Sequence, residues 1–337
     1  MRYLLVAGMV AGLWLMANSH IPADDYANDF LNISISPAVS AQGNSSIAAP
    51  IDPFSAYYNP ALLHSIPPGI SLSHTEFFSG LYRFDAIGCK LPIKSEPIGI
   101  LLLRAGIDHI PDTRGALIDL NQNGILDPGE YLDESKIRYF SNQDYALYGS
   151  YSLLYKDIQW GINLKWLYRR LAESRGYGLG LDIGAYLNRT RWSVGINLKD
   201  ITTTVISWNS GETEYTHPRI AVGGRYDLGE PFLFFHPAVY ADVTFFTHDM
   251  DRAALITTSL IDFGFTWGLS VDYRKMITFR LGFDSSQCDN RVNLNDYLSK
   301  TITTGMGIHW KQYGIQYAFL RHLYLSNTHR IAIEYCF

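Results

Sequence analysis

Apolar residues alternate with small or polar ones along stretch after stretch of the chain from Gly69 onward. This period of two predicts strands whose two faces meet different environments. The apolar positions of two such stretches are Trp160, Ile162, Leu164, Trp166 and Tyr168, and Phe263, Phe265, Trp267, Leu269, Val271 and Tyr273. Aromatic residues recur at the strand ends, as the interfacial girdles of a transmembrane barrel require. A soluble β-sandwich also alternates, but its inner face is usually aliphatic.

The connections between these stretches predict how the strands are arranged. About fourteen stretches of roughly 9 to 15 residues can be counted, which suits tilted membrane strands. If the first begins near Gly69, the short connections near residues 93, 156, 189, 229, 275 and 312 are periplasmic. The external ones, at 108–143, 201–215, 248–259, 285–300 and 321–328, are longer, except for two short turns near 79 and 174. The predicted fold is therefore all-β, an antiparallel transmembrane barrel of about 14 strands over residues 69–337.

Composition agrees with a protein that faces lipid. Charged residues make up 18% of the chain and aromatic residues 14%, whereas about 25% of an average soluble chain is charged. No apolar run of about 18 residues follows the first twenty, which excludes helical spans. A net charge of −5 and scattered basic residues predict no nucleic-acid partner. The three widely separated cysteines fit small wall residues without a metal site.

The two ends of the chain predict its export and assembly. Residues 1–23 have the layout of a cleaved secretory signal peptide, with Arg2, an apolar run over 3–16 and small residues after it. The final strand ends in Phe337, the aromatic signal that the barrel assembly machinery recognises. We therefore expect the mature chain in the bacterial outer membrane, surrounded by lipid. Residues 24–68 show no clear period, and we expect an N-terminal hatch or a periplasmic segment there.

One external connection contains a motif for calcium. Positions 1, 3, 5, 6, 7, 9 and 12 of an EF-hand loop are filled by Asp119, Asn121, Asn123, Gly124, Ile125, Asp127 and Glu130. Carboxylate and carbonyl oxygens suit a hard cation, the glycine permits the sharp turn, and the last glutamate can bind through both oxygens. Strands rather than helices flank the motif, so a turn that binds nothing is the alternative. Calcium is a possible ligand, and no cofactor is required.

The sequence gives little support for catalysis. It contains neither a G-x-S-x-G elbow nor an H-E-x-x-H motif, and its ten histidines form no cluster with serine or cysteine. We predict that the protein is not an enzyme. Four glycines at alternate positions fit small lumen-facing residues that leave room for a plug; they are Gly176, Gly178, Gly180 and Gly184. The charges predicted to face the lumen are Lys165, Asp182, Lys199, Asp272, Arg280, Asp284, Lys311 and Glu334.

Several stretches resemble a known family of outer-membrane proteins. Residues 52–63 read DPFSAYYNPALL, residues 178–187 read GLGLDIGAYL, and residues 192–201 read WSVGINLKDI. With the insertion at 110–133, they are similar to the PorV/PorQ family, relatives of the FadL fatty-acid transporters. The resemblance implies a fourteen-stranded barrel with an N-terminal hatch that ends at the turn formed by Asn59, Pro60 and Ala61. The stretch over 41–46 departs from the family pattern because it contains a single glycine.

The resemblance implies one of two functions. The first is handling of secreted cargo proteins for a type IX secretion system, with the connections at 108–143 and 285–300 as contacts. The alternative is passage of hydrophobic small molecules, as in FadL. It requires an apolar pocket near the outer rim and a gap or kink in the wall, with Phe245, Phe246 and Tyr297 in external connections as candidate lining residues. A third hypothesis is a passive anchor for a surface assembly.

Overall fold

The computed structural model describes residues 28–93, 96–121, 123–229, 234–246, 262–285, 302–321 and 327–337. The predicted signal peptide at 1–23 and Cys288 lie outside this part of the chain. None of the helices found in the described ranges is long and apolar enough to cross a membrane.

Strands make up most of the structure. In chain order they are β1 (Gly69–Phe77), β2 (Tyr82–Lys90), β3 (Ile98–Asp112), β4 (Leu117–Ile118), β5 (Tyr131–Leu132), β6 (Arg138–Tyr155), β7 (Ile158–Leu171), β8 (Ser174–Asn188), β9 (Trp192–Lys199), β10 (Thr204–Trp208), β11 (Thr213–Thr216), β12 (Arg219–Asp227), β13 (Phe235–Phe246), β14 (Asp262–Tyr273), β15 (Ile277–Asp284), β16 (Ile302–Trp310), β17 (Tyr313–Leu320) and β18 (Thr328–Cys336). All but β4, β5, β10 and β11 form one antiparallel ring.

The ring closes where the first strand meets the last. β1 pairs with β18 in a register that runs from Gly69 opposite Cys336 to Glu76 opposite His329. Closure pairs each of the fourteen ring strands with a neighbour on both sides, which satisfies the backbone where water cannot. The prediction of an antiparallel barrel of about 14 strands starting at Gly69 is confirmed.

Burial alternates along the strands as the sequence predicts. On β7 the small or polar Gly161, Asn163 and Lys165 are buried, whereas Ile162 and Leu164 are exposed on the outer face. An outer surface of exposed apolar side chains would be costly in water, so this wall faces lipid. Ring pairs at the strand ends form the aromatic girdles, for example Tyr313 and Tyr335 with ring centroids 5.3 Å apart.

Two external connections differ from the prediction, one because its flanking strands continue past their expected ends and the other because it contains two short strands. β3 and β6 still pair at Asp112 and Arg138, so the connection predicted at 108–143 spans only 113–137. The connection predicted at 201–215 contains β10 and most of β11. Phe245 and Phe246 belong to β13 and not to a loop. The connection at 248–259, Tyr297 and most of 285–300 lie outside the described ranges.

The wall is interrupted between β9 and β10. Both strands pair with β8, β9 along its periplasmic half and β10 along its external half. Between them the chain leaves the sheet at 200–203, where Asp200 and Thr203 have φ angles of 55° and 56°. Such positive values are uncommon for residues other than glycine. The wall therefore has a local kink at this point, which we call the wall break.

Residues 28–68 form a compact segment of short helices, which we call the N-terminal segment. It contains a 3₁₀ helix at Asp29–Asn32, α1 (Pro37–Ala41), α2 (Ser55–Tyr58) and a second 3₁₀ helix at Pro60–His64. Ser36 caps α1 by accepting a hydrogen bond from the Val39 amide. Most of the segment is buried, and its partners are side chains on the inner face of the barrel.

Candidate functional site

Asn59 fixes the turn that the sequence singles out. Its side-chain oxygen accepts a hydrogen bond from the Ala61 amide at 3.1 Å, and Pro60 occupies the first position of the following 3₁₀ helix. The Asn59 amide group donates to the Ile47 carbonyl at 2.9 Å and to the Ala185 carbonyl of β8 at 3.3 Å. One side chain thus joins two parts of the N-terminal segment to the wall.

Wall glycines make room for that turn. A β-carbon at Gly184 would overlap the Asn59 side chain, and one at Gly161 would overlap the Pro60–Ala61 backbone. The other three glycines predicted to accommodate a plug have different neighbours. Gly176 and Gly178 face the Ile206 side chain of β10, and Gly180 faces Thr204 and Lys165. Their small size serves the contact between β8 and β10, so this part of the glycine prediction is wrong.

Wall side chains also bind the backbone of the N-terminal segment at widely spaced points. The Asp242 carboxylate of β13 accepts the amides of Ser46 and Ile47, the latter at 3.0 Å. Asn163 of β7 donates to the Ala56 carbonyl at 2.8 Å. On β18, Arg330 donates to the Ser34 carbonyl. Because these anchors lie on distant strands, they hold the segment across the barrel interior.

A buried ion triad lies beside the wall break. Lys165 has only 2% of its side chain exposed and lies 2.7 Å from an Asp182 carboxylate oxygen. It also contacts the carboxylate of Asp200, the first residue of the break. The Asp200 amide donates to Asp182 at 2.9 Å. A buried cation that shares two carboxylates tolerates burial because every member has a partner. The triad therefore fixes the chain where the sheet is interrupted.

A cavity of about 210 Å³ lies between the N-terminal segment and strands β9 and β12–β15. Its apolar lining comes from Leu31, Ile47, Tyr57, Tyr58, Phe246 and Phe265. Two cations, Lys199 and Arg219, also line it, at one end of β9 and the facing end of β12. Lys199 directly precedes Asp200, so this end of the cavity lies next to the wall break. The carboxylates of Asp242 and Asp284 line the cavity as well, so it combines an apolar surface with two cations and two carboxylates.

Among the residues that the structure describes, neither cation forms a salt bridge with a carboxylate. Lys199 and Arg219 are opposite each other in the β9–β12 register. The Lys199 ammonium lies 4.6 Å from the Tyr57 ring centroid and 6.0 Å from that of Tyr58. Arg219 donates to the Asn32 side chain, and its Nε has no hydrogen-bond partner in the described structure. A buried donor without a partner favours an acceptor that a ligand could supply.

The motif predicted to bind calcium lies on a hairpin formed by β4 and β5. The Glu130 carboxylate accepts the Leu120 amide at 2.9 Å and the Asp127 amide at 3.0 Å. Gly124 has the positive φ of 76° that the turn requires. Side-chain hydrogen bonds from Asn121 and Asn123 lower the pKa of Asp127. No group of three His, Cys, Asp or Glu side chains that could hold a metal ion is found in the described ranges. Calcium binding stays a prediction.

Most of the charges predicted to face the lumen do so. Asp182, Arg280, Asp284 and Glu334 are buried on inner faces. Lys311 is the exception. It lies exposed in the turn between β16 and β17, with its ammonium 4.9 Å from the Trp310 ring centroid. Strand β16 ends at Trp310, one residue before Lys311, so this prediction is wrong.

Three site residues escaped the sequence analysis. Arg219 and Asp242 occupy inner-face positions of β12 and β13, so the alternation of their neighbours could have placed them. No such signal marks Asp200, because it follows the end of a strand in an unusual backbone conformation.

The remaining predicted residues lie at the periplasmic end of the wall. The Phe337 amide donates to the Pro68 carbonyl at 3.1 Å, and its ring packs near Tyr335. Cys89 and Cys336 are free thiols of the wall. Recognition of Phe337 by an assembly machinery stays a prediction.

Solved structures with a similar fold are channels and transporters. The CymD monoaromatic hydrocarbon channel has a TM-score of 0.52 at 10% identity, over 90% of this chain and 98% of that one. The toluene transporter TodX of Pseudomonas putida has a TM-score of 0.53 at 12% identity, over 89% and 96%. A Pseudomonas aeruginosa FadL homologue has a TM-score of 0.51 at 10% identity, over 90% and 99%.

Sequence comparisons add nothing to this likeness. No family model matches the chain, and no curated protein matches its sequence. At about one residue in ten identical, the likeness to solved structures shows the fold alone. The resemblance to PorV/PorQ proteins stays a prediction. The chain has the fold of FadL-type channels, a closed antiparallel barrel of fourteen strands.

Proposed function

We propose that this protein is a channel of the bacterial outer membrane for hydrophobic small molecules that carry an acidic group. The observation that carries the proposal is the cavity in which Lys199 and Arg219 face aromatic and aliphatic side chains. A carboxylate of the ligand would accept hydrogen bonds from both cations, and its apolar part would lie against Tyr57 and Phe265.

The wall break supports this function. A channel that delivers apolar molecules needs a gap or kink in its wall, and the chain leaves the sheet at 200–203, directly beside the cavity. In the described part of the chain β11 pairs only with β10, so one edge of β11 is left unpaired near the wall break. The fold shared with the CymD and TodX channels fits the same function.

The proposal predicts selective binding of an acid over the matching alcohol. Lys199→Met combined with Arg219→Met should weaken palmitate binding to the purified protein by about tenfold or more, since each charge-assisted hydrogen bond contributes about 1.5–3 kcal/mol. Binding of hexadecanol should not change. Lys311→Met, which removes an exposed cation of a turn, is the matched control. Equal palmitate affinities for all proteins in calorimetric titrations would refute the acidic-group site.

Cargo handling in a type IX secretion system is the other function that the sequence suggests. The structural neighbours are channels for small molecules and give it no support. Of its candidate contacts, the structure describes the connection at 113–137 apart from residue 122, whereas most of 285–300 lies outside the described ranges. Pull-down of a secreted protein with a C-terminal sorting domain by the wild-type chain would favour it over the channel.

A further inference from the structure

The lipid-facing apolar belt is much shorter on β1 and β2 than on a strand such as β7. On β7 the outer face is apolar from Ile158 to Tyr168. On β1 only Ile70 and Leu72 precede the first outward-facing charged or titratable residue, His74. A notch of polar side chains therefore interrupts the apolar belt of the barrel next to the seam where β1 meets β18.

The notch lies at membrane depth. Ile70 is opposite Tyr335, whose ring packs near Phe337 and Tyr313 in the periplasmic girdle. With a strand rise of about 3.4 Å per residue and a tilt of about 40°, Glu76 lies about 16 Å above that girdle. The apolar band of such barrels is about 25 Å tall. The outward-facing charges on β1 therefore lie within the thickness of the band.

Six charged or titratable side chains form this surface, which we call the seam patch. They are His74, Glu76, Arg83, Asp85, Arg104 and Asp108. The patch contains two arginines and three carboxylates, so it does not have the excess positive charge that a phosphate-rich lipid head group requires. Its charges are about half exposed or less, with 52% of the Glu76 side chain and 27% of the Arg104 side chain accessible.

Ion pairs connect the seam patch across the strands. His74 Nδ1 lies 2.6 Å from an Asp85 oxygen, and Arg104 lies 3.4 Å from the same carboxylate group. Arg83 lies 3.8 Å from Glu76. Each pair joins a basic side chain on one strand to an acidic side chain on the neighbouring strand. Charges in contact with lipid carry a high cost, so an outward-facing network at this depth indicates contact with protein rather than with acyl chains.

The strand register makes the seam patch complementary to itself. Glu76 is opposite Arg83, and His74 is opposite Asp85, in the β1–β2 pairing. A two-fold axis along the membrane normal, passing between β1 and β2 of two facing walls, would place β1 of one copy against β2 of the other. With the axis through the Glu76–Arg83 pair, each Glu76 would then face Arg83 of the second copy, whereas the strand tilt places the His74–Asp85 pairs on either side of the axis. Opposite charges therefore meet twice across the axis.

We propose that the seam patch is the contact surface of a two-fold symmetric homodimer within the membrane. Each copy covers the notch in the other's apolar belt, and the Glu76–Arg83 pairs form twice across the axis. The proposal is independent of what passes through the barrel.

A charge-exchange experiment tests the dimer. Sedimentation equilibrium of the purified full-length protein in detergent micelles should show a dimer for the wild type. Glu76→Arg places two arginines against each other, and Arg83→Glu places two glutamates against each other. Each variant alone should therefore self-associate about tenfold or more weakly than the wild type, because facing like charges are unfavourable. An equimolar mixture of the two variants should associate like the wild type, since the charge introduced in one variant then faces the opposite charge introduced in the other.

The mixture separates loss of the contact from loss of the fold, because misfolded variants would not regain association. Arg175→Glu, at the external end of β8 away from the seam patch, is the control and should behave as the wild type. A monomeric wild type, or a mixture no tighter than its two components, would overturn the proposal. So would a monomer that retains lipopolysaccharide and loses it in Arg83→Glu, because that result would assign the patch to lipid.

Discussion

At the residue scale, the sequence predicts that the loop at 119–130 binds calcium, and the fold around the loop does not decide whether it does. Glu130 already positions both carboxylate oxygens by accepting backbone amides on either side of the loop. Glu130→Gln removes the charge that a calcium ion would need, so it should weaken calcium binding by about tenfold or more. Glu134→Gln, in the neighbouring 3₁₀ helix, is the control. Identical calcium titrations of wild type and Glu130→Gln would show that the loop is only a turn.

The buried ion triad gives a second prediction at this scale. Lys165→Met leaves the carboxylates of Asp182 and Asp200 buried without their cation. The free energy of unfolding should fall by about 3–5 kcal/mol, the usual cost of removing one partner of a buried pair. Urea unfolding from lipid vesicles, followed by tryptophan fluorescence, measures it. Lys311→Met should change little, and a Lys165→Met midpoint equal to that control would contradict the structural role of the triad.

The sequence predicts the direction of single side chains better than their partners. The alternation of β7 and β8 places Lys165 and Asp182 on the inner face, and both are buried there. That they share a site with Asp200 could not be predicted, because Asp200 lies beyond the end of a regular strand with a φ angle of 55°. A period of two carries no information about a residue that has left the sheet.

At the scale of elements, glycines of the wall leave the space into which the N-terminal segment packs. A β-carbon at Gly161 would overlap the Pro60–Ala61 backbone, whereas one at Gly149, on the neighbouring strand, would meet no atom within 4 Å. Gly161→Val should therefore displace the segment and raise the ion conductance of the protein in planar bilayers. Gly149→Val should conduct like the wild type. Equal conductance of the two variants would show that the turn does not close the barrel.

The sequence predicts the strands that complete the ring, but it does not predict the two short strands β10 and β11 beside the wall break. The fourteen barrel strands alternate long enough for their period to be recognised. β10 and β11 have 5 and 4 residues, too few for a clear period, so the sequence suggests a loop at 201–215. Pairing of β10 with the external half of β8 depends on a tertiary contact that no local pattern records.

At the scale of the whole molecule, the barrel combines three features that the channel proposal joins. The ring is closed, its interior holds a segment anchored on distant strands, and one cavity beside the wall break contains two cations. The closed ring is predicted by the number of strands and the lengths of their connections. The cavity is not, because its walls come from residues far apart in the chain, such as Tyr57, Lys199 and Phe265.

Uptake of palmitate tests the channel most directly. Cells that lack their own long-chain fatty-acid transporter would produce this chain in the outer membrane, and entry of radiolabelled palmitate would be measured. The account predicts uptake well above that of cells with an empty vector, and a clear fall when Lys199 and Arg219 are both replaced by methionine. Uptake by the wild-type chain no higher than the empty-vector level would contradict it.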